Sequence, residues 1–128
     1  MEAITRFSAG DAIPEKSTAI YGAVIKYLDT TDGQVKPIDP SAVSALTVTL
    51  TDSVGAIVNG LQNENALNTG NGTLLTGGIL SFTLDPADTV ILGSNPMELR
   101  YFAFHVVFSG GEHWHNASFY VRNLVGVS

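Results

Sequence analysis

Leu46, Val48 and Leu50 alternate without exception with Thr47, Thr49 and Thr51. Successive side chains of an extended chain point to opposite sides, so this period of two places three aliphatic groups on one face and three hydroxyls on the other. A helix would scatter the same residues around its axis. The pattern returns at Leu80, Phe82 and Leu84, separated by Ser81 and Thr83. The chain is thereby committed to strands with one apolar face each, and such strands must bury that face against a second layer.

The rest of the sequence extends this reading. Residues 18–28 are rich in β-branched and aromatic side chains and run into the turn residues 29–33, which predicts a strand ending in a tight turn. Pro37 and Pro40 lack the amide proton of a ladder, so residues 35–40 read as an edge piece or loop. A short strand over 56–59 would complete a hairpin with the Leu46 strand. Asn63, Asn65, Asn68 and Asn71, with Gly70 and Gly72, erase any periodicity between 60 and 73 and mark the longest loop. Residues 98–108 are almost continuously apolar, the pattern of a central strand buried on both faces, with Phe102, Phe104, Val106 and Phe108 as the inward row. Ser109, Gly110 and Gly111 turn the chain into a final strand from 114 to 124.

Asp85 as N-cap, Pro86 at the first helical position and Asp88 near the positive end predict one short helix over 85–92. About seven strands at roughly ten-residue spacing, without alternating long helices, give an all-β, two-layer antiparallel immunoglobulin-like β-sandwich with one short helix. Residues 18–128 form the single domain. Residues 1–17 hold Ile4, Phe7 and Ile13 among polar neighbours and are expected to act as an N-terminal arm laid along a partner subunit.

The chain has 128 residues, enough for one ordinary core, and 45% of them are hydrophobic, which argues against disorder. Its net charge of −6 and scattered Lys and Arg disfavour nucleic acid, which requires clustered cations. It lacks cysteine, so disulfides and thiolate chemistry are excluded. No run approaches a membrane span, and the first residues lack the basic and apolar regions of a signal peptide; a soluble product of a bacterial cytoplasm is expected. With only 14% charged residues, Ser, Thr, Asn and Gly must cover the surface, as in proteins that hide area in an assembly.

Few residue groups suggest chemistry. No Gly-x-Ser-x-Gly elbow is present, the glycine-rich stretches lack a following lysine and long helix, and Asp85 and Asp88 are explained as helix caps. No enzyme and no cofactor are expected. His113 and His115 share one face of the last strand, and the hairpin decides whether His105 joins them. A three-residue loop at 109–111 sets His105 opposite His115 and lets three imidazoles converge as in a metal site; a two-residue loop shifts the register by one and disperses them. Polar residues at a hairpin end or a subunit interface are the default use of this trio. Trp114 and the neighbouring rings could form a sugar-stacking platform on a sandwich face, but core packing is their expected use.

Several phrases in order carry a likeness: Gly10-Asp11, Asp32-Gly33 with Pro37, Leu46-Thr-Val-Thr-Leu-Thr-Asp52 with Gly55, Gly78-Ile-Leu, Leu84-Asp-Pro-Ala-Asp-Thr89, and Phe119-Tyr-Val121. Over residues 10–124 the chain resembles the small tailed-bacteriophage β-sandwich related to the N-terminal domain of upper-baseplate and other virion proteins. The resemblance implies a non-enzymatic virion building block: a capsid decoration protein, a head–tail adaptor or a tail accessory, located in the virion and bound to capsid, portal or tail subunits. The long Asn-rich loop departs from that pattern, and a free-standing domain suits a decoration or adaptor protein better than a baseplate arm. Threonine-rich faces and open sheet edges point the same way and imply a homo-oligomer. The competing reading is a glycan- or receptor-binding module of a phage tail, gripping its ligand with Trp114 and the three histidines.

Overall fold

The alternating segments form strands whose apolar sides meet. The computed structural model describes residues 5–93, 96–109 and 111–123. In chain order the strands are β1 (Thr5–Phe7), β2 (Ala12–Pro14), β3 (Ala19–Val24), β4 (Lys26–Asp29), β5 (Gln34–Pro37), β6 (Val43–Asp52), β7 (Glu64–Asn65), β8 (Gly72–Leu75), β9 (Ile79–Leu84), β10 (Met97–Phe108) and β11 (Gly111–Arg122). They make a four-stranded sheet, β1-β3-β9-β8, a five-stranded sheet, β2-β11-β10-β6-β7, and a ribbon, β4-β5.

The two larger sheets stack through their inner faces. Leu46, Val48 and Leu50 of β6 are fully buried, as are Phe104 and Val106 of β10 and Phe119 and Val121 of β11; Leu80 and Leu84 of β9 answer from the other sheet. Aromatic rings seal the contact: Tyr21 lies 4.9 Å from Phe102, Phe82 lies 6.0 Å from both Phe102 and Phe104, and Phe7 lies 5.1 Å from Phe119. These are the offset and edge-on approaches that the ring quadrupole favours. An all-β, two-layer sandwich is the result.

The long strand 18–28 of the sequence reading breaks at Ile25. Its backbone N–H bonds the Gly78 carbonyl and its carbonyl accepts from Ile38, so the chain leaves the four-stranded sheet and starts the ribbon. Gly78 makes that departure feasible: at φ +73° a Cβ there would collide with the Ile25 carbonyl. In the ribbon, the Lys36 ammonium bridges Asp29 at 2.8 Å and Asp32 at 2.7 Å across the turn. Its hydrogen bond holds the Asp29 carboxyl well below the usual carboxylate range.

Other expectations are corrected in detail. The 56–59 strand reduces to a single bridge between Thr51 and Ile57, and the Asn-rich loop contributes β7 on one sheet and the start of β8 on the other. Strand β10 is central, yet it alternates between buried and partly exposed positions rather than being buried on both faces. The expected helix is a 3-10 turn, Pro86–Thr89, capped by the Asp88 carboxylate accepting from the Asp85 N–H at 2.8 Å. It stops because Val90 is extended and the buried Thr89 hydroxyl exchanges hydrogen bonds with the Ser17 backbone. A second 3-10 turn, Pro40–Ala42, is capped by Asp39.

The largest correction concerns the N-terminus. Of the expected arm, residues 1–17, the described part from Thr5 on is not set apart from the sandwich: β1 pairs in parallel with β3 in one sheet, and β2 pairs in parallel with β11 in the other. The sheets are therefore not purely antiparallel. Phe7 and Ile13, assigned to a partner by the sequence reading, lie in this chain's own core at 5% and 0% exposure. Alternation explains it: Phe7 and Ile13 point inward while Arg6 and Ala12 stay exposed. Ile4 falls outside the described residues. Phe7→Ala should destabilise the isolated chain by about 3–5 kcal/mol, the usual cost of emptying a buried phenyl site. Urea unfolding checks this; a midpoint equal to wild type would restore the arm.

Candidate functional site

The hairpin β10–β11 carries most of the residues singled out by chemistry. Its register pairs Phe108 with Gly111, His105 with Trp114, and Phe104 with His115. The loop is thus two residues, Ser109 and Gly110, and parity divides the histidines. His113 and His115 lie on the inner side of β11 with Ala117, Phe119 and Val121, whereas His105 lies on the outer side of β10. The trio does not converge. Among the described residues, no group of three His, Cys, Asp or Glu side chains is placed to hold a metal ion.

His115 has a structural role at the rim of the core. Its Nε2 lies 2.8 Å from the Tyr21 hydroxyl, and its ring packs near Tyr21 and Phe104. Burial lowers its pKa below the usual imidazole value, and the charge of nearby His113 adds to the shift. Burial also raises the Tyr21 pKa. Both effects favour a phenol that donates to a neutral imidazole.

His105 does something different. It sits directly opposite Trp114, and their rings stack at 4.1 Å with planes 12° apart. The His105 Nε2 also meets the Glu112 carboxylate at 3.0 Å. Position opposite in the ladder brings these side chains close enough to stack. Around them the outer face of the five-stranded sheet stays uncovered among the described residues. Thr47, Thr49 and Thr51 run along β6 beside His105, Ala103 and Tyr101 of β10, and Asn116 and Ser118 flank them on β11. Trp114 is 54% exposed, Tyr101 41% and Tyr120 39%. This face combines hydroxyl and amide groups with large flat rings, a composition suited to contact with another surface.

One charged pair went unnoticed in the sequence. Arg100 is buried beside Glu98, with a 2.9 Å ion pair and a second guanidinium bond to the Val90 carbonyl at 2.9 Å. The Glu98 carboxylate accepts from the Leu92 and Gly93 N–H groups at 2.8 Å each, so the pair fastens the 90–93 loop to β10. A cleft of about 360 Å³ adjoins it, lined by Asp52, Val54, Leu92 and Met97 among others. The signal was present: extending the inward row of Phe102 and Phe104 backward by twos reaches Arg100 and then Glu98.

No protein-family model and no curated protein matches the sequence.

The His115 environment predicts a pH dependence of stability. Its folded pKa lies below its unfolded value, so acidification loads the unfolded chain with a proton that the folded chain resists. Stability should be full above about pH 6.5, the ordinary imidazole value, and fall as the pH drops below it. His115→Gln should flatten this slope in thermal unfolding; an unchanged slope would remove His115 as its origin.

Proposed function

We propose that the chain is a non-enzymatic structural protein of a tailed-bacteriophage particle, a decoration or head–tail adaptor component that docks on capsid, portal or tail subunits. The observation that carries this reading is the uncovered outer face of the five-stranded sheet, where the threonine row lies beside exposed Tyr101, Trp114 and Tyr120. Buried cores of protein interfaces are enriched in aromatic rings and depleted of charge, and the middle of this face has both properties, with Glu112 and Arg122 at its two ends. The buried polar groups add support, because they fasten loops: Asp88 holds the Asn59 amide at 2.7 Å, Arg100 and Glu98 hold the 90–93 loop, and His115 holds Tyr21.

The alternative, a glycan- or receptor-gripping hairpin, relied on three histidines acting with Trp114. The hairpin register sends His113 and His115 to the side away from Trp114, which favours the structural reading.

The reading is tested by purifying intact particles from a lysate of cells producing the chain and quantifying it by mass spectrometry. It should co-sediment with particles at a fixed stoichiometry to capsid protein. A Tyr101→Ser, Trp114→Ser double variant should fold like wild type and lose particle occupancy by roughly tenfold or more, as expected for removal of interface anchors. Absence of the wild-type chain from particles, or glycan-array binding that Trp114→Ala abolishes, would overturn the assignment.

A further inference from the structure

Among the described residues, strand β11 leaves an edge open where it carries Trp114. The Tyr120 N–H donates to the Asp11 carbonyl at 2.8 Å, and the Ser118 carbonyl accepts from the Gly10 N–H at 2.7 Å. Main-chain groups alternate sides along a strand, so even-numbered residues of β11 aim theirs away from β10. Strand β2 covers that side only from Tyr120 to Arg122. Between the hairpin turn and the Gly10 bond, no described strand lies against it, and Glu112, Trp114 and Asn116 each present an N–H and a C=O to the open edge.

Natural sheets blunt such edges with short strands, proline, lysine or bulges. The other edges of the two main sheets comply: β1 and β2 have three residues each, β7 two and β8 four, and β2 ends in Pro14. The 111–117 stretch is longer than any of them, contains neither Lys nor Pro, and pairs with β10 without a bulge.

We infer that this edge pairs antiparallel with the same edge of a second copy of the chain, around a two-fold axis at Trp114. The register follows from the space available. The hairpin turn limits the free stretch on one side and the Gly10–Ser118 bond limits it on the other, which leaves Trp114 at the midpoint. Centred there, Trp114 meets Trp114 of the second copy and Glu112 meets Asn116, while His113 falls opposite His115. Each even-numbered pair exchanges two main-chain hydrogen bonds. The charges suit self-pairing, because the edge's one carboxylate faces an amide rather than its own copy. His105 already covers one face of the indole at 4.1 Å, so the other looks across the open edge and is covered by the second copy's ring. The dimer joins two five-stranded sheets edge to edge through an isologous contact. It rests on the strand edge alone, so its failure would leave the particle reading standing.

The test is sedimentation equilibrium of the full chain from low micromolar to millimolar concentration, with wild type and Asn116→Pro. The Asn116 N–H points away from β10, so proline there breaks no internal ladder bond and blocks only the edge. Wild type should form dimers, and Asn116→Pro should weaken them by roughly tenfold or more with unchanged circular dichroism. Hydrogen exchange at the Trp114 and Asn116 amides should slow as wild type dimerises. If the proline variant does not fold, Trp114→Lys takes its place, since that side chain stays outside the core. A wild-type chain that remains monomeric at every concentration, or a folded edge variant that dimerises as tightly as wild type, would overturn the inference.

Discussion

Parity in the β10–β11 hairpin governs most of this molecule. Joined by two residues, the strands put Phe102, Phe104 and Val106 on the same side as Ala117, Phe119 and Val121, and that side is the core. A slip of one residue would turn one whole strand over, exposing either three phenyl and valyl groups or their partners, which no surface residue could offset. The same parity places the polar side chains of the hairpin. It assigns His115 to the Tyr21 hydroxyl, His105 to Trp114, and the Glu98–Arg100 pair to the inside.

The N-terminal segment is the second element on which the fold depends, because it belongs to both layers. It leaves β3's edge at Phe7, turns at Gly10 with φ +88°, and enters the other sheet at Ala12. The Phe7 ring touches both Tyr21 and Phe119, so one side chain spans the two sheets at 5.5 and 5.1 Å. Glycine at position 10 suits the left-handed backbone that the crossing requires. Buried ends of this kind also cap the core where β11 would otherwise lack a neighbour, and they stop at Ser118, beyond which no described strand covers that side of β11.

Much of the fold was legible in the sequence because period-two alternation is a direct image of strand geometry. Leu46, Val48, Leu50, Leu80, Phe82, Leu84, Phe102, Phe104 and Val106 all face the core as read. What escaped reading depends on non-local pairing. Phe7 and Ile13 were too sparse to announce core strands, since three-residue parallel pairs depend on neighbours far along the chain. Whether the histidines gather turned on a single residue of loop length, which Ser109, Gly110 and Gly111 satisfy equally well as letters. The helix at Asp85 was recognisable by its cap and overlong in extent, because Thr89 is held by Ser17, a residue distant in sequence. Arg100 was overlooked because charge is usually read as surface, although the inward row passes through it.

The outer face and the core are two readings of one alternation: each buried residue of β6 and β10 leaves a neighbour outside, and here those neighbours are threonines on β6 and Tyr101, Ala103, His105 and Val107 on β10. The measurement closest to this account is a nuclear Overhauser experiment on Hα protons across the hairpin. His105 and Trp114 form a pair without mutual hydrogen bonds, as do Ala103 and Asn116, and such pairs bring Cα atoms to about 4.5 Å. Strong Hα–Hα contacts between His105 and Trp114, and between Ala103 and Asn116, are expected. A contact placing His105 across from His115 instead would contradict the account at its root.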